Sequence, residues 1–419
     1  MKANATGFPT QSTQDRSKAL NPFRVLRHRE FRLLWVGLAI SAIGTWMQIV
    51  ALSLLVLKIT YGSAFALGTV SLTQALSFFF FALIGGNVAD RMDKRRILLL
   101  TQSASAGLAI LLGVLTAAGL IQLWMILLIS FLNGTLLSFD QPARGALLAE
   151  LVPKDELMSA VSLQANLFSG ASTVGPALGG FALSWLGYAH NFFLNAASFV
   201  PVLVALYIMR LPEGSRQHLQ SAWEMIRESL SVVQRDAVLP WVLTGYGALL
   251  CFGPSPALIL PVFALKVLHV GPGRLGLLFS SIGLGSIVGA LILASLGGSA
   301  RKGYLYLMGL LIWVGALAGF AVSALFLFSV AALFVLGIGQ CFAATTSITL
   351  LQTRVPQHMR GRVMSLNTLL LMGIRPLGDF PAGALISVMG APGTLLLCSA
   401  LVGVYVAVVS LARPSIRWA

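Results

Sequence analysis

The chain has 419 residues, of which 57% are hydrophobic and only 10% charged, and it carries a formal net charge of +15. Soluble domains carry about 25% charged residues, so a water-soluble fold is excluded and lipid must be the solvent. The positive charge does not point to nucleic acid, because the lysines and arginines sit in short stretches between apolar runs and form no continuous basic face.

Residues 1–30 are polar and basic with no apolar core, so a tail is expected here and no cleavable signal peptide. A membrane span needs ~20 mostly apolar residues. On that measure the sequence predicts helices over 31–57, 64–87, 97–118, 121–145, 156–184 and 190–209. A second series follows over 237–266, 273–296, 303–322, 325–351, 362–388 and 392–412. Both ends of the chain and every second loop carry 24 of the 28 lysines and arginines. The opposite loops carry three, Lys58, Lys266 and Arg274, and Arg375 lies within a span. Cytoplasmic loops collect such residues, so both termini are expected in the cytoplasm.

The longest internal polar stretch, 210–236, divides the chain. Within it Trp223, Ile226, Leu230 and Val233 recur at helical spacing, as in an amphipathic helix on the membrane surface. The two sides echo each other 203 residues apart: Val152-Pro153 with Val355-Pro356, Gly175 with Gly378, Gly180 with Gly383. The expected organisation is a cytoplasmic tail (1–30), a six-helix half (31–209), a linker (210–236), a second six-helix half (237–412) and a short cytoplasmic tail (413–419). Repeats of this kind place a substrate site between the halves, near the bilayer midplane.

Between the second and third predicted helices stands Gly86-Asn87-Val88-Ala89-Asp90-Arg91-Met92-Asp93-Lys94-Arg95-Arg96. Glycine, three residues, Asp-Arg and a basic cluster resemble the signature loop of the major facilitator superfamily, with Asp93 in place of the usual later glycine. The resemblance implies a twelve-helix, all-α membrane protein in two pseudo-symmetric halves. It also implies a cytoplasmic latch built from Gly86, Asp90, Arg91, Lys94 and Arg95. Asp90 would face the N-terminus of helix 11, whose dipole favours an anion, and Arg91 would pair with Asp140. The corresponding loop of the second half, Gly297 to Lys302, lacks the aspartate, so the latch is expected on one side only.

Helix 5 contains Gly175-Pro176-Ala177-Leu178-Gly179-Gly180. Small residues and a proline suit close packing in any membrane bundle. The same core resembles the antiporter motif of proton-coupled drug exporters, although Gly170 is one place off the upstream spacing. Asp140-Gln141-Pro142-Ala143-Arg144, Leu151-Val152-Pro153 and Gly44-Thr45-Trp46-Met47-Gln48 together resemble the enterobactin-exporter-like branch of the superfamily, which includes macrolide-efflux relatives.

Arg375 and Asp379 lie four residues apart within a span, on one helix face. Charges there are costly and face a cavity or a partner. They read either as a structural ion pair or as a proton-coupling site. Asp140 and Arg144 form a second such pair, and Pro254, Pro256 and Pro261 should bend helix 7. Trp46, Gln48, Asn133, Tyr246 and Gln340 fall at central depths on helices 1, 4, 7 and 10, which line the cavity in this fold. No phosphate-binding glycine loop ending in Gly-Lys-Ser/Thr occurs, and the five histidines and three cysteines form no metal pattern.

The expectation is therefore a secondary transporter and not an enzyme. It would be a multi-pass protein of a bacterial inner membrane that exports small amphiphilic, drug-, macrolide- or siderophore-like molecules by proton antiport with alternating access. Expected partners are the small-molecule substrate, protons and the lipid bilayer. No cofactor, metal or nucleic acid is expected, and the protein would act as a monomer. Two alternatives stand beside it: a lipid flippase, which needs a lateral opening, and a membrane sensor that transports nothing.

Overall fold

The structure, a computed structural model, describes residues 22–153, 155–209, 230–296, 301–356 and 359–412. The side chains of Pro22, Phe23, Leu83, Asp90 and Met158 and of residues 360–362 and 365–373 lie outside the described set. Among the described residues the secondary structure is helical, with no strand. A span in lipid must satisfy its backbone internally, and these apolar runs do so as helices. α1 is Arg29–Ile59, α2 Ala64–Arg91, α3 Lys94–Ala117 and α4 Leu123–Glu150.

The next helical run, Leu157–Ile208, has 52 residues, or ~78 Å if straight, far more than the ~30 Å of hydrocarbon. Gly187, at φ 80° and ψ 179°, breaks it into α5 (157–186) and α6 (188–208). That backbone geometry suits a residue without Cβ. Gly390, at φ 75°, divides Arg360–Ala412 in the same way into α11 (360–389) and α12 (391–412). Between them lie α7, a broken span made of Leu239–Phe252 and Pro256–Lys266, then α8 (Pro272–Ser295), α9 (Lys302–Ala321) and α10 (Phe326–Arg354). Among the described residues twelve spanning helices result. The expected linker helix falls mostly on 210–229, outside the described residues; 230–235 is helical.

Caps explain several boundaries. Ser63 accepts from the Ala66 amide at the start of α2, and Asp93 from the Arg95 amide at the start of α3. α2 runs through Arg91, so the segment expected as an eleven-residue loop is mostly helix, with a turn of Met92 and Asp93 between α2 and α3. The helix persists because Ala89, buried at 1% exposure, keeps its last turn packed.

The first six helices and the last six form two bundles. α1 lies against α5 and α6, α2 against α4, and α3 against α6. In the second bundle α8 and α9 pack on α10, and α7 lies against α11 and α12. The bundles meet along two seams, α5 on α8 and α2 on α11. Both seams are tight near the ends remote from the lysine- and arginine-rich turns. A Cβ on Gly180 would sit 2.3 Å from the Pro272 carbonyl oxygen, and one on Gly383 2.7 Å from that of Ala64. Phe65 and Phe380 stack across the second seam at 5.1 Å.

Candidate functional site

Among the described residues two charged sites are buried in the bundle and a third lies at the basic ends of the helices. The first is at Asp379, 1% exposed, on α11. Its carboxylate accepts from the Ser71 hydroxyl of α2 at 2.8 Å and from the Ser255 backbone amide at 2.7 Å. Ser255 lies in the break of α7 and caps the segment that follows. The carboxylate thus sits at a helix N-terminus, where free amides and the dipole favour an anion. Pro254 and Pro256 create that break, since neither continues the helical ladder.

The direct Arg375–Asp379 ion pair weighed from the sequence is not formed among the described residues. Ser71 and Ser255 engage the carboxylate instead, and Arg375 lines a small cavity of ≈30 Å³ with Gln340, Trp313 and Pro254. Its Nε has no hydrogen-bond partner among the described residues.

The second site is in the first bundle. Asp140, 4% exposed, accepts from Thr101 at 3.1 Å, from Gln102 at 2.6 Å and from Arg144 one turn along α4. The expected Arg91–Asp140 pair is therefore not formed among the described residues. A partner on the same helix takes the carboxylate, while Arg91 ends α2 exposed. A cavity of ≈140 Å³ adjoins this network, and Trp46 and Asn133 line it.

The third lies at the basic ends of the helices. Lys94 pairs with Glu150 at 2.6 Å, tying α3 to α4, and Arg95 donates to the Tyr207 carbonyl on α6. A Cβ on Gly86 would meet no described atom within 4 Å; the close approach belongs to Gly85, whose Cβ would lie 2.2 Å from the Ser138 carbonyl oxygen of α4. The side chain of Asp90 lies outside the described residues. Sequence reading missed the nearby clasp of Glu156, which holds Arg27 at 2.6 Å and His28 at 2.8 Å and so fastens the turn before α1 to the start of α5.

The α5 motif acts through packing. A Cβ at Gly175 would come within 2.6 Å of Trp46, one at Gly179 within 2.7 Å of Met47, and one at Gly180 against Pro272. The carbonyl of Pro176 would be 2.4 Å from a Cβ on Gly276 of α8. Two expected cavity residues lie elsewhere. Gln48 accepts from Asn195 at 2.6 Å and braces α1 on α6, and Tyr246, 3% exposed, is packed in the core. Spacing along one helix does not reveal which face its neighbours cover. Ser71 and Ser255, by contrast, carried no signal, since ordinary serines in apolar runs are common. Among the described residues no group of three His, Cys, Asp or Glu is placed to hold a metal ion.

Two six-helix bundles joined by two glycine-lined seams, with polar sites buried between helices, define a membrane carrier. A family model described as transmembrane secretion effector matches residues 19–417. The chain belongs to this family of the major facilitator superfamily, so it is a membrane transporter and not an enzyme. It is 28% identical over 401 residues to the enterobactin exporter EntS of Citrobacter koseri, covering 94% of this chain and 92% of that protein. It is 25% identical to the staphyloferrin A transporter of Staphylococcus aureus, over 80% of this chain and 84% of that one. Among solved structures, a bacterial homologue of the human lysosomal transporter Spinster, inward-facing and unoccupied, matches with a TM-score of 0.74 at 13% identity, over 93% of this chain and 99% of the other. The nucleoside transporter NupG matches at 0.71 and 12%, over 92% and 99%. At such identities these two structures speak for the fold alone.

Proposed function

We propose that the protein exports siderophore-like or other small amphiphilic molecules from the cytoplasm, by alternating access driven by proton antiport. The names of its relatives, an enterobactin exporter and a staphyloferrin A transporter, support the substrate class. The basic ends of the helices face the cytoplasm of a bacterial inner membrane, the termini and the 210–236 linker lie on that side, and the carrier works as a monomer. Asp379 is the coupling group. One observation carries this: the carboxylate lies buried across the α2–α11 seam, bonded at once to Ser71 of the first bundle and to the break in α7. Ionised, it favours a closed outer seam. Once the seam opens, it meets external water and takes a proton. Arg375, turned to the inner cavity, serves the substrate side. The latch of Asp90, Arg91, Lys94 and Arg95 steadies the opposite conformation at the cytoplasmic end. The experiment is enterobactin, staphyloferrin A, macrolide and cationic-dye efflux from proteoliposomes under an imposed pH gradient. Gradient-stimulated movement of one of these supports the reading, and none moving overturns it.

A second reading, a lipid flippase, is favoured by one feature. An apolar groove of ≈620 Å³ lies among residues 230–234, α7 and α11, lined by Leu243, Phe252, Ile374 and Leu377. Accelerated flop of a fluorescent phospholipid in the same vesicles would select it.

A further inference from the structure

The end of the molecule remote from the basic turns has an apolar surface. Its turns are 60–63, 118–122, 187, 267–271, 322–325 and 390, and none contains an Asp or Glu. Large apolar or aromatic side chains stand in or beside them. Tyr61 is 99% exposed, Trp185 87% and Val388 85%, and Leu120 and Leu325 are exposed as well. The basic end carries both signs of charge instead, in pairs such as Lys94–Glu150 and Arg354–Asp236. That mixture suits water, whereas large exposed apolar groups gathered on one face mark contact with a protein or with lipid.

Helix length and charge select lipid. α9 has 20 residues, or ~30 Å, which matches the ~30 Å of hydrocarbon. Arg301 and Lys302 hold its start at the basic edge, so Ala321 reaches the other edge. The turn 322–325 then lies in the headgroup layer, which adds only ~5–7 Å on each side. α6 (188–208) is little longer, and it sets Gly187 and Trp185 at the same depth. Tyr and Trp favour that layer. The cations of this face, Lys58, Lys266 and Arg274, are exposed, and none is in an ion pair among the described residues. Lys58 lies 5.2 Å over the Tyr188 ring and Arg274 5.4 Å over the Phe326 ring, so both run along the apolar rim. Lys266 lies on the Gly62 turn, its Cε 3.1 Å from where a Cβ would stand. Cations without acids match the phosphates of anionic lipids.

We propose that this face is a lipid-binding surface, sunk in the headgroup layer of its leaflet. Anionic phospholipid phosphates sit on Lys58, Lys266 and Arg274, and Tyr61, Trp185, Leu325 and Val388 reach among the lipids between them. A molecule leaving through this end therefore enters the headgroup layer before it meets water, which suits an amphiphile. That consequence rests on the export reading; the lipid surface itself does not.

Fluorescent labels on single cysteines test it, in vesicles of phosphatidylcholine and phosphatidylglycerol and a background free of Cys251, Cys341 and Cys398. Leu325→Cys and Val388→Cys report on this face, and Arg96→Cys, exposed at the basic end, is the control. A nitroxide on the phosphatidylcholine headgroup should quench the labels at 325 and 388 at least threefold more than the label at 96, and iodide should do the reverse. A nitroxide on phosphatidylglycerol should quench 325 and 388 at least twofold better than one on phosphatidylcholine. Lys58→Gln, Lys266→Gln and Arg274→Gln together should remove that preference. Iodide quenching at 325 and 388 as strong as at 96 overturns the surface. Equal quenching by the two lipids before the cations are replaced overturns the anionic-lipid contact. Efflux from vesicles of the same preparation separates the two proposals. Efflux with this face in water overturns the lipid surface alone, whereas a face in lipid with no tested compound moving sustains the surface and overturns the export reading.

Discussion

Ser71 of α2 donates a 2.8 Å hydrogen bond to Asp379 of α11, from one six-helix bundle to the other. The two residues are 308 apart in sequence, and the bond lies where Gly68 lets α2 come close to the α11 backbone. It links a buried ionisable group to the seam whose opening an alternating-access carrier requires.

Removing the Ser71 hydroxyl should loosen that seam without unfolding the protein. A single hydrogen bond contributes about 1 kcal/mol, so Ser71→Ala should shift the closed-to-open ratio about fivefold. Labelling of a single cysteine at Ala64, in a background free of Cys251, Cys341 and Cys398, reads this out. The variant should label faster with an impermeant thiol reagent, and equal rates would mean that the bond does not hold the seam.

The α5–α8 seam makes a steric prediction. Valine at Gly180 would drive its Cβ into the Pro272 carbonyl and cost roughly 1–3 kcal/mol of the closed state. Gly170→Ala, where no described atom lies within 4 Å, should behave like wild type. Thermal stability in detergent and efflux should both fall for Gly180→Val and hold for Gly170→Ala. Matching losses in the two variants would remove seam packing as the cause.

The Asp140–Arg144 pair should show the signature of a buried ion pair. Removing one member leaves the other uncompensated and costs ~3–5 kcal/mol. Asp140→Ala should therefore be markedly less stable than Asp140→Ala combined with Arg144→Ala. Strict additivity of the two substitutions would mean that the charges are not coupled.

Asp236 gives a pH dependence outside the membrane. Burial pushes its carboxyl upward, but the amides of Val238 and Leu239 and the Arg354 guanidinium outweigh that and hold it below the usual carboxylate range. A carboxyl depressed in the folded state stabilises the fold above its unfolded value of about 3.9, and that stability is lost as the pH falls through the folded value. Wild type should lose more thermal stability between about pH 5 and pH 3 than Asp236→Asn. Parallel curves would contradict the assignment.

Helix number could be read from the chain because hydropathy is a local signal, and the small residues of Gly175–Gly180 pointed to close packing, but not to the partners Gly180 and Gly383 meet across the seams. The joins at 184–190 and 388–392 were legible too, but not their form as single glycine breaks at Gly187 and Gly390. Pairings were less legible. Arg375 and Asp379 share a helix face, yet a serine on α2 and an amide in the break of α7 engage the carboxylate. Gln48 reads as a cavity residue from its place along α1, but Asn195 on α6 engages it and takes it out of the cavity. Helical periodicity gives a residue's direction on its own helix and says nothing of which helix stands opposite.

The most direct test of proton-coupled export through Asp379 is substrate-induced proton movement in proteoliposomes, for wild type and Asp379→Asn. The wild type should move protons inward as substrate leaves. Asp379→Asn should lose this proton flux while keeping substrate exchange down its own gradient. Proton movement at the wild-type rate in Asp379→Asn would contradict the account and make the carboxylate a structural tie between α2, α7 and α11.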